Sequence, residues 1–157
     1  MNNEFYIHGQ VALITGGNVG IGRITALELA KKGFKVIIAG RSLERTQPVL
    51  DHINSLSVDE QALFLPLDLA SLASVRECAR LFIELNLPLH LLINNAGVAG
   101  LRGLTKDGFE MTFGINHLGH FLLTQLLLEK LQSSVFSRIV TVSSRAHKRA
   151  AELDWDA

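Results

Sequence analysis

Apolar and polar positions alternate along this chain in blocks with two different periods. The run Val11 to Thr15 (VALIT) is continuously apolar and bounded by glycines, the pattern of a strand covered on both faces. From about Gly20 to Lys32 the apolar residues return every three or four positions. Gly22, Ala26, Leu29, Ala30 and Gly33 make a small apolar face, and Arg23, Glu28, Lys31 and Lys32 point away. This predicts a helix that can approach a sheet closely, ended by Gly33. Lys35 to Gly40 (KVIIAG) predicts a second strand. Ser42 is placed to cap a helix running to about Ser55. ALFLPLDL holds a third strand ending near Asp68. Ser74 is expected to open the next helix, with Val75, Cys78, Ala79 and Phe82 on its apolar face. Leu89 to Asn94 predicts a fourth strand, followed by a loop spaced by Gly97, Gly100, Gly103 and Gly108. Ile115 to Leu131 reads as a helix that is apolar almost all round, and Arg138 to Ser144 as a fifth strand. Nothing from Arg145 to Ala157 is long enough to add a layer.

Alternation of strand and helix predicts a parallel sheet covered on both faces, a doubly wound α/β fold of about five strands in one domain. Ligands then belong at the carboxyl ends of the strands.

The chain of 157 residues suffices for one core. Its 48% hydrophobic and 19% charged content argues against disorder. Fifteen basic residues balance fifteen acidic ones, which removes the electrostatic case for nucleic acid. No apolar run has the length to cross a bilayer, and the first ten residues do not read as a secretory signal. A cytoplasmic location, or one peripheral to an intracellular membrane, is expected. Cys78 is the single cysteine, so no internal disulfide can form, and it reads as a core thiol. His117 and His120, three apart, suit structural hydrogen bonding better than a metal, because no carboxylate accompanies them.

The chemistry lies first in TGGNVGIG, Thr15 to Gly22, between the first strand and the first helix. Gly16 permits a sharp turn, Gly20 a close approach of backbone to a pyrophosphate, and Gly22 contact between helix and strand. Free N–H groups and the positive dipole end at the helix start favour an anion. No Lys-Ser/Thr pair follows, so this is not an NTPase phosphate loop. Sites for NAD commonly carry an acid about 20 residues on, at the end of the second strand. Here Gly40 and Arg41 occupy that place. A guanidinium there suits a ribose 2′-phosphate, which puts NADP(H) ahead of NAD(H).

Taken together, TGGNVGIG, Asp68-Leu69, NNAG (Asn94 to Gly97), INHLGHF and RIVTVSS resemble, in this order, the motifs of the short-chain dehydrogenase/reductase family. The wording around INHLGHFLLTQLLLEKL and SRIVTVSSRAH is most similar to its retinol-dehydrogenase-like branch. The resemblance implies coenzyme contacts from Gly16, Gly17, Asn18, Val19, Gly20, Ile21, Gly22, Arg41, Asp68, Leu69, Asn95, Ala96 and Gly97. It implies Ser144, or alternatively Ser143, as the serine that bonds a substrate oxygen, and Asn116 as the asparagine of a proton relay. It further implies hydride transfer to or from a lipophilic alcohol or carbonyl of the retinoid, steroid or isoprenoid class, and no metal. The family's Tyr-x-x-x-Lys has no match in the 157 residues, whose one tyrosine, Tyr6, precedes the first strand. The chain is therefore expected to be a C-terminally shortened form lacking the catalytic helix and last strands, with at best trace turnover. In the family's strand order, 3-2-1-4-5-6-7, the fifth strand becomes an edge. Leu118, Phe121, Leu122, Leu126 and Leu127 cannot all face the sheet. Those left outside are expected to form an apolar patch through which the 117–131 helix contacts another copy or protein. An interaction module that binds dinucleotide without catalysis, and a nonfunctional fragment, stand as alternatives.

Overall fold

The computed structural model describes residues 8–56 and 62–149. Tyr6, Trp155 and the tail beyond residue 149 lie outside them. Five parallel strands form one sheet in the order β3-β2-β1-β4-β5. They are β1 (Val11–Thr15), β2 (Lys35–Gly40), β3 (Leu63–Pro66), β4 (Leu91–Asn94) and β5 (Arg138–Thr141). Helices α1 (Gly20–Lys31), α2 (Leu43–Leu56) and α3 (Leu72–Glu84) cross between the first four strands. The chain then passes from β4 to β5 through α4 (Met111–Phe113), a π-turn (Gly114–Leu118), α5 (Gly119–Leu126) and α6 (Leu128–Gln132). The doubly wound α/β architecture is the expected one.

Side chains alternate across a strand, so β1 and β2 feed two separate cores. Val11, Leu13, Ile37 and Ala39 pack with Cys78 and Phe82 of α3 and with Leu123 and Leu127 beyond the π-turn. Ala12, Ile14, Val36 and Ile38 pack with Ala26 and Ala30 of α1 and with Ile53 of α2. Both faces are covered, which is why VALIT carries no polar position until Thr15. Burial pushes the Cys78 thiol up to about 12, consistent with a core thiol.

The strand order places the switch point between β1 and β4. After β1 the chain builds outward through β2 and β3, then returns to the other side of β1 to add β4. The crevice above the ends of these two strands is where such sheets bind ligands.

Several boundaries differ from the sequence expectation, most of them where a hydrogen bond is redirected. β3 stops at Pro66 rather than near Asp68, because the Asp68 N–H leaves the ladder and donates to Ser74 Oγ at 2.9 Å. Ser71, not Ser74, caps α3, accepting from the Ser74 N–H. β4 begins at Leu91 rather than Leu89, whose N–H donates to Ser134 Oγ. β5 ends at Thr141 rather than Ser144. The long helix starts early, at Met111, because the Glu110 carboxylate accepts from the N–H groups of Thr112 and Phe113. It also contains the π-turn and breaks at Leu127. Residues 145–149 form one 3-10 turn and add no layer. Among the described residues no helix is long and apolar enough to cross a membrane.

Of the five apolar side chains expected to compete for the sheet, Leu127 is fully buried and Phe121 stays 57% exposed. Phe121 stacks on His117, which stacks on exposed Phe113, with ring centroids 6.3 and 5.2 Å apart.

Candidate functional site: a glycine-lined cleft beside a serine-lined cavity

The turn after β1 is held by its own atoms. Gly16 has φ +69°, a left-handed conformation, and its N–H bonds to Ala39 O at 2.9 Å. At Gly22 an added Cβ would lie 2.3 Å from Gly16 O and 2.4 Å from Asn95 Nδ2, so helix and turn touch as the spacing predicts. α1 begins with Val19 as N-cap, which offers no side-chain acceptor, and its first turn holds no acid. Its N–H groups therefore open toward the space above β1, unlike those of α3, which Ser71 caps.

That space is a cleft of about 390 Å³. From the glycine turn, Gly16, Asn18, Val19, Ile21 and Gly22 line it. Gly40 and Arg41 line it at the end of β2, and Asp68 and Leu69 after β3. Asn95, Ala96 and Gly97 form its floor after β4. Two expected residues are not among the lining. Gly17 lies inward, where an added Cβ would meet Ile14 and Ile38 at 3.0 Å. Gly20 opens α1 with nothing within 4 Å of its missing Cβ. Ile115 and Val142, which lie within INHLGHF and RIVTVSS but were not among the expected contacts, join the wall.

Arg41 is exposed, with no acidic partner among the described residues. Asp68 is tied down: Oδ1 accepts from the Ala70 N–H and Oδ2 pairs with Lys106 Nζ at 3.0 Å. That pair fastens the loop after β4 to the rim.

A second cavity, about 430 Å³, adjoins the floor. It brings together Asn116, His120, Ser143 and Ser144 with residues 94–99 and Val142. Both serines line it, so the choice between them stays open. Ser144 Oγ accepts from the Ala146 N–H at 3.2 Å. The Asn116 side chain is committed to the loop: Oδ1 accepts from the Val98 N–H at 2.8 Å and Nδ2 donates to Val98 O at 2.9 Å. Its backbone carbonyl, in the π-turn, lies 3.2 Å from His120 Nδ1. Such turns frequently mark functional sites.

The motifs left three residues of this region unassigned. Thr15 Oγ1 accepts the N–H groups of Asn95 and Ala96, each at 3.0 Å. His120 lies 2.9 Å from Thr15 Oγ1, and burial holds its imidazole pKa below the ordinary histidine value. His120 thus makes structural hydrogen bonds, whereas His117 makes ring-stacking contacts with Phe113 and Phe121. Asn94 donates to Thr124 Oγ1, while its buried Oδ1 has no partner among the described residues. A polar residue on an otherwise apolar helix, one turn after Asn116, was the signal available for His120. No group of three potential metal ligands occurs among the described residues.

A profile of the short chain dehydrogenase family matches residues 10–153, and the chain belongs to that family. It is 54% identical over 144 residues to a mouse (Mus musculus) protein named polyprenol dehydrogenase, covering 88% of this chain and 43% of the relative. To human (Homo sapiens) retinol dehydrogenase 13 it is 48% identical over 151 residues, 96% of this chain and 45% of the relative. The chain thus spans less than half the length of these relatives. Among solved structures, the Pseudomonas aeruginosa RhlG/NADP active-site complex superposes with a TM-score of 0.73 at 31% identity, over 88% of this chain and 56% of that one. A Burkholderia phymatum short chain dehydrogenase/reductase solved with NAD gives 0.71 at 26% identity, over 86% and 49%. These likenesses place the chain in the retinol-dehydrogenase-like part of the family, whose coenzyme is a nicotinamide dinucleotide.

Proposed function

We propose that this chain is the coenzyme-binding half of a short-chain oxidoreductase, residues 1–157 forming one dinucleotide-binding domain, with NADP(H) preferred to NAD(H). The observation that carries the reading is the uncapped, acid-free start of α1, opening beside Gly16 and Gly22 into a cleft whose far rim holds Arg41. A pyrophosphate at the helix start would accept the open N–H groups. Arg41 beside neutral Gly40 would pair with a 2′-phosphate. Asp68 and Leu69 would border the adenine, and Asn95, Ala96 and Gly97 the middle of the coenzyme. When bound, the coenzyme supplies or accepts the hydride. Ser144, or Ser143, would bond the substrate oxygen and Asn116 would hold the relay. The names of the relatives support a lipophilic alcohol or carbonyl as substrate, of the retinoid, steroid or isoprenoid class. A positioned acid/base is worth roughly 10² to 10⁴ in rate, so these residues without a Tyr-x-x-x-Lys give trace turnover at most.

Titration of the folded chain with NADPH and NADH tests the coenzyme reading. NADPH is expected to bind more tightly, and Arg41→Ala to weaken NADPH about tenfold while leaving NADH unchanged. Equal affinities would remove the NADP(H) preference, and no binding of either would remove the site. A second reading, contact with another copy through residues 117–131, is favoured by the exposed Phe113–His117–Phe121 stack. Concentration-dependent sedimentation checks it.

A further inference from the structure

His120 is 4% exposed and Thr15 is fully buried, so every polar atom between them needs a partner. The bonds present allow one arrangement of protons. Asn116 O lies 3.2 Å from His120 Nδ1 and can only accept, so Nδ1 carries the hydrogen. In a neutral imidazole Nε2 is then a bare acceptor. It lies 2.9 Å from Thr15 Oγ1. That oxygen already accepts two N–H groups, from Asn95 and Ala96, which occupies both lone pairs. Its own proton is free to point at Nε2, a better partner than Ile93 O at 3.5 Å. The opposite tautomer would set two lone pairs face to face at Asn116 and aim a third donor at Thr15.

The resulting chain runs from the floor of the cleft, Asn95 and Ala96, through the Thr15 hydroxyl and the imidazole to the carbonyl of Asn116. Asn95 and Ala96 line both cavities, and Asn116 lines the second. Asn95 reinforces the first end by donating through Nδ2 to Thr15 O and Gly16 O, at 2.9 and 3.2 Å. We propose that His120 is a positioning residue, fixed as the Nδ1–H tautomer, that ties the coenzyme cleft through Thr15 to the π-turn presenting Asn116. The functional part of this rests on the coenzyme reading above; the tautomer and the bonded chain do not.

Two measurements on the 157-residue protein test it. In ¹⁵N-histidine NMR at neutral pH, His120 is expected with Nδ1 protonated and Nε2 bare. The Nε2–H tautomer or an imidazolium would overturn the proposal, and this readout needs no variant. A double-mutant cycle then uses His120→Phe, which fills the space without the bonds, and Thr15→Val. Each alone is expected to raise the NADPH dissociation constant about tenfold, and the pair together no more than the worse single change. Additive losses would reduce His120 to a space filler and overturn the proposal. If wild type binds no NADPH, the coenzyme reading fails instead. The positioning claim is then decided by the Asn95 and Ala96 amide resonances, which must move in His120→Phe; unmoved resonances would sink it.

Discussion

β1 and β5 are written in nearly the same alphabet, yet they meet opposite surroundings. VALIT is buried at all five positions, and RIVT is exposed at all four. β1 lies between β2 and β4 with helices on both faces, whereas β5 pairs with β4 alone among the described residues. A run of β-branched apolar residues therefore states that a strand can be buried; its neighbours decide whether it is. The two cavities inherit the difference. The cleft above β1 is lined by the ends of β1 to β4 and the start of α1. The cavity beside β5 ends in Val142, Ser143 and Ser144, all exposed. The sheet beneath the cleft is covered on both faces, and the strand beside the serines is exposed.

The largest expected effect comes from crowding the packed side. In Gly22→Ala the new methyl would sit 2.3 Å from a backbone carbonyl that cannot turn aside, as the tip of a flexible side chain could. Overpacking costs about 1–3 kcal/mol, and this contact belongs at the upper end. For a chain of this size that is a fall of roughly 6–12 °C in Tm, with NADPH affinity lost alongside. A Gly22→Ala protein with unchanged melting and binding would break the claim that α1 and the turn touch. A milder probe of the packed side is Val36→Thr in the core beneath α1 and α2, which puts a hydroxyl into a fully buried site and is expected to cost about 1–3 kcal/mol in urea unfolding.

A smaller, pH-dependent effect also belongs to the packed side. Burial holds the pKa of His120, and of His90 beside β1, below the ordinary value of 6.5. The unfolded chain then binds more protons near and below that value. Stability is complete above about pH 6.5 and declines as pH falls toward the depressed folded values. Cys78 works in the opposite direction: its thiol moves from 9.0 up to about 12, so the unfolded chain ionises first and stability declines as pH rises above about 9. Thermal melting across pH should show a plateau between these limits, and Cys78→Ala should flatten the alkaline side. An alkaline loss equally steep in Cys78→Ala would assign that limb to other groups.

The comparison also shows what could be read before the structure. Element types and the doubly wound class follow from periodicity, because a strand covered twice and a helix covered once leave different spacings of apolar residues. Residues around the cleft were legible because a glycine turn between strand and helix has few uses. Boundaries were not. Ser71 and Ser74 both suit a cap, and only the position of the Asp68 N–H decides between them. The π-turn inserts one extra residue per turn, too little to disturb a helix that is apolar all round. Gly17 shares a motif with Gly16, and only Ile14 and Ile38 beneath it show that it faces inward. The edge position of β5 came from the family's strand order, since RIVTVSS by itself reads as a strand like any other.

The smallest effect is expected where the comparison predicts tolerance. Val140 and Val142 are 45% and 43% exposed, so Val140→Thr or Val142→Thr exchanges a methyl for a hydroxyl that water can satisfy. Both residue types are β-branched, so strand preference is retained. Surface changes of this kind fall within about 0.5 kcal/mol, against the larger cost expected for the same exchange at Val36. The physical gain lies elsewhere. An edge strand with apolar side chains on both faces is a template for pairing with another chain. The double variant should therefore stay monomeric to higher concentration than wild type in sedimentation, at nearly unchanged Tm. A loss of stability as large as that of Val36→Thr would mean that β5 is packed as β1 is, and the contrast between the two strands would disappear.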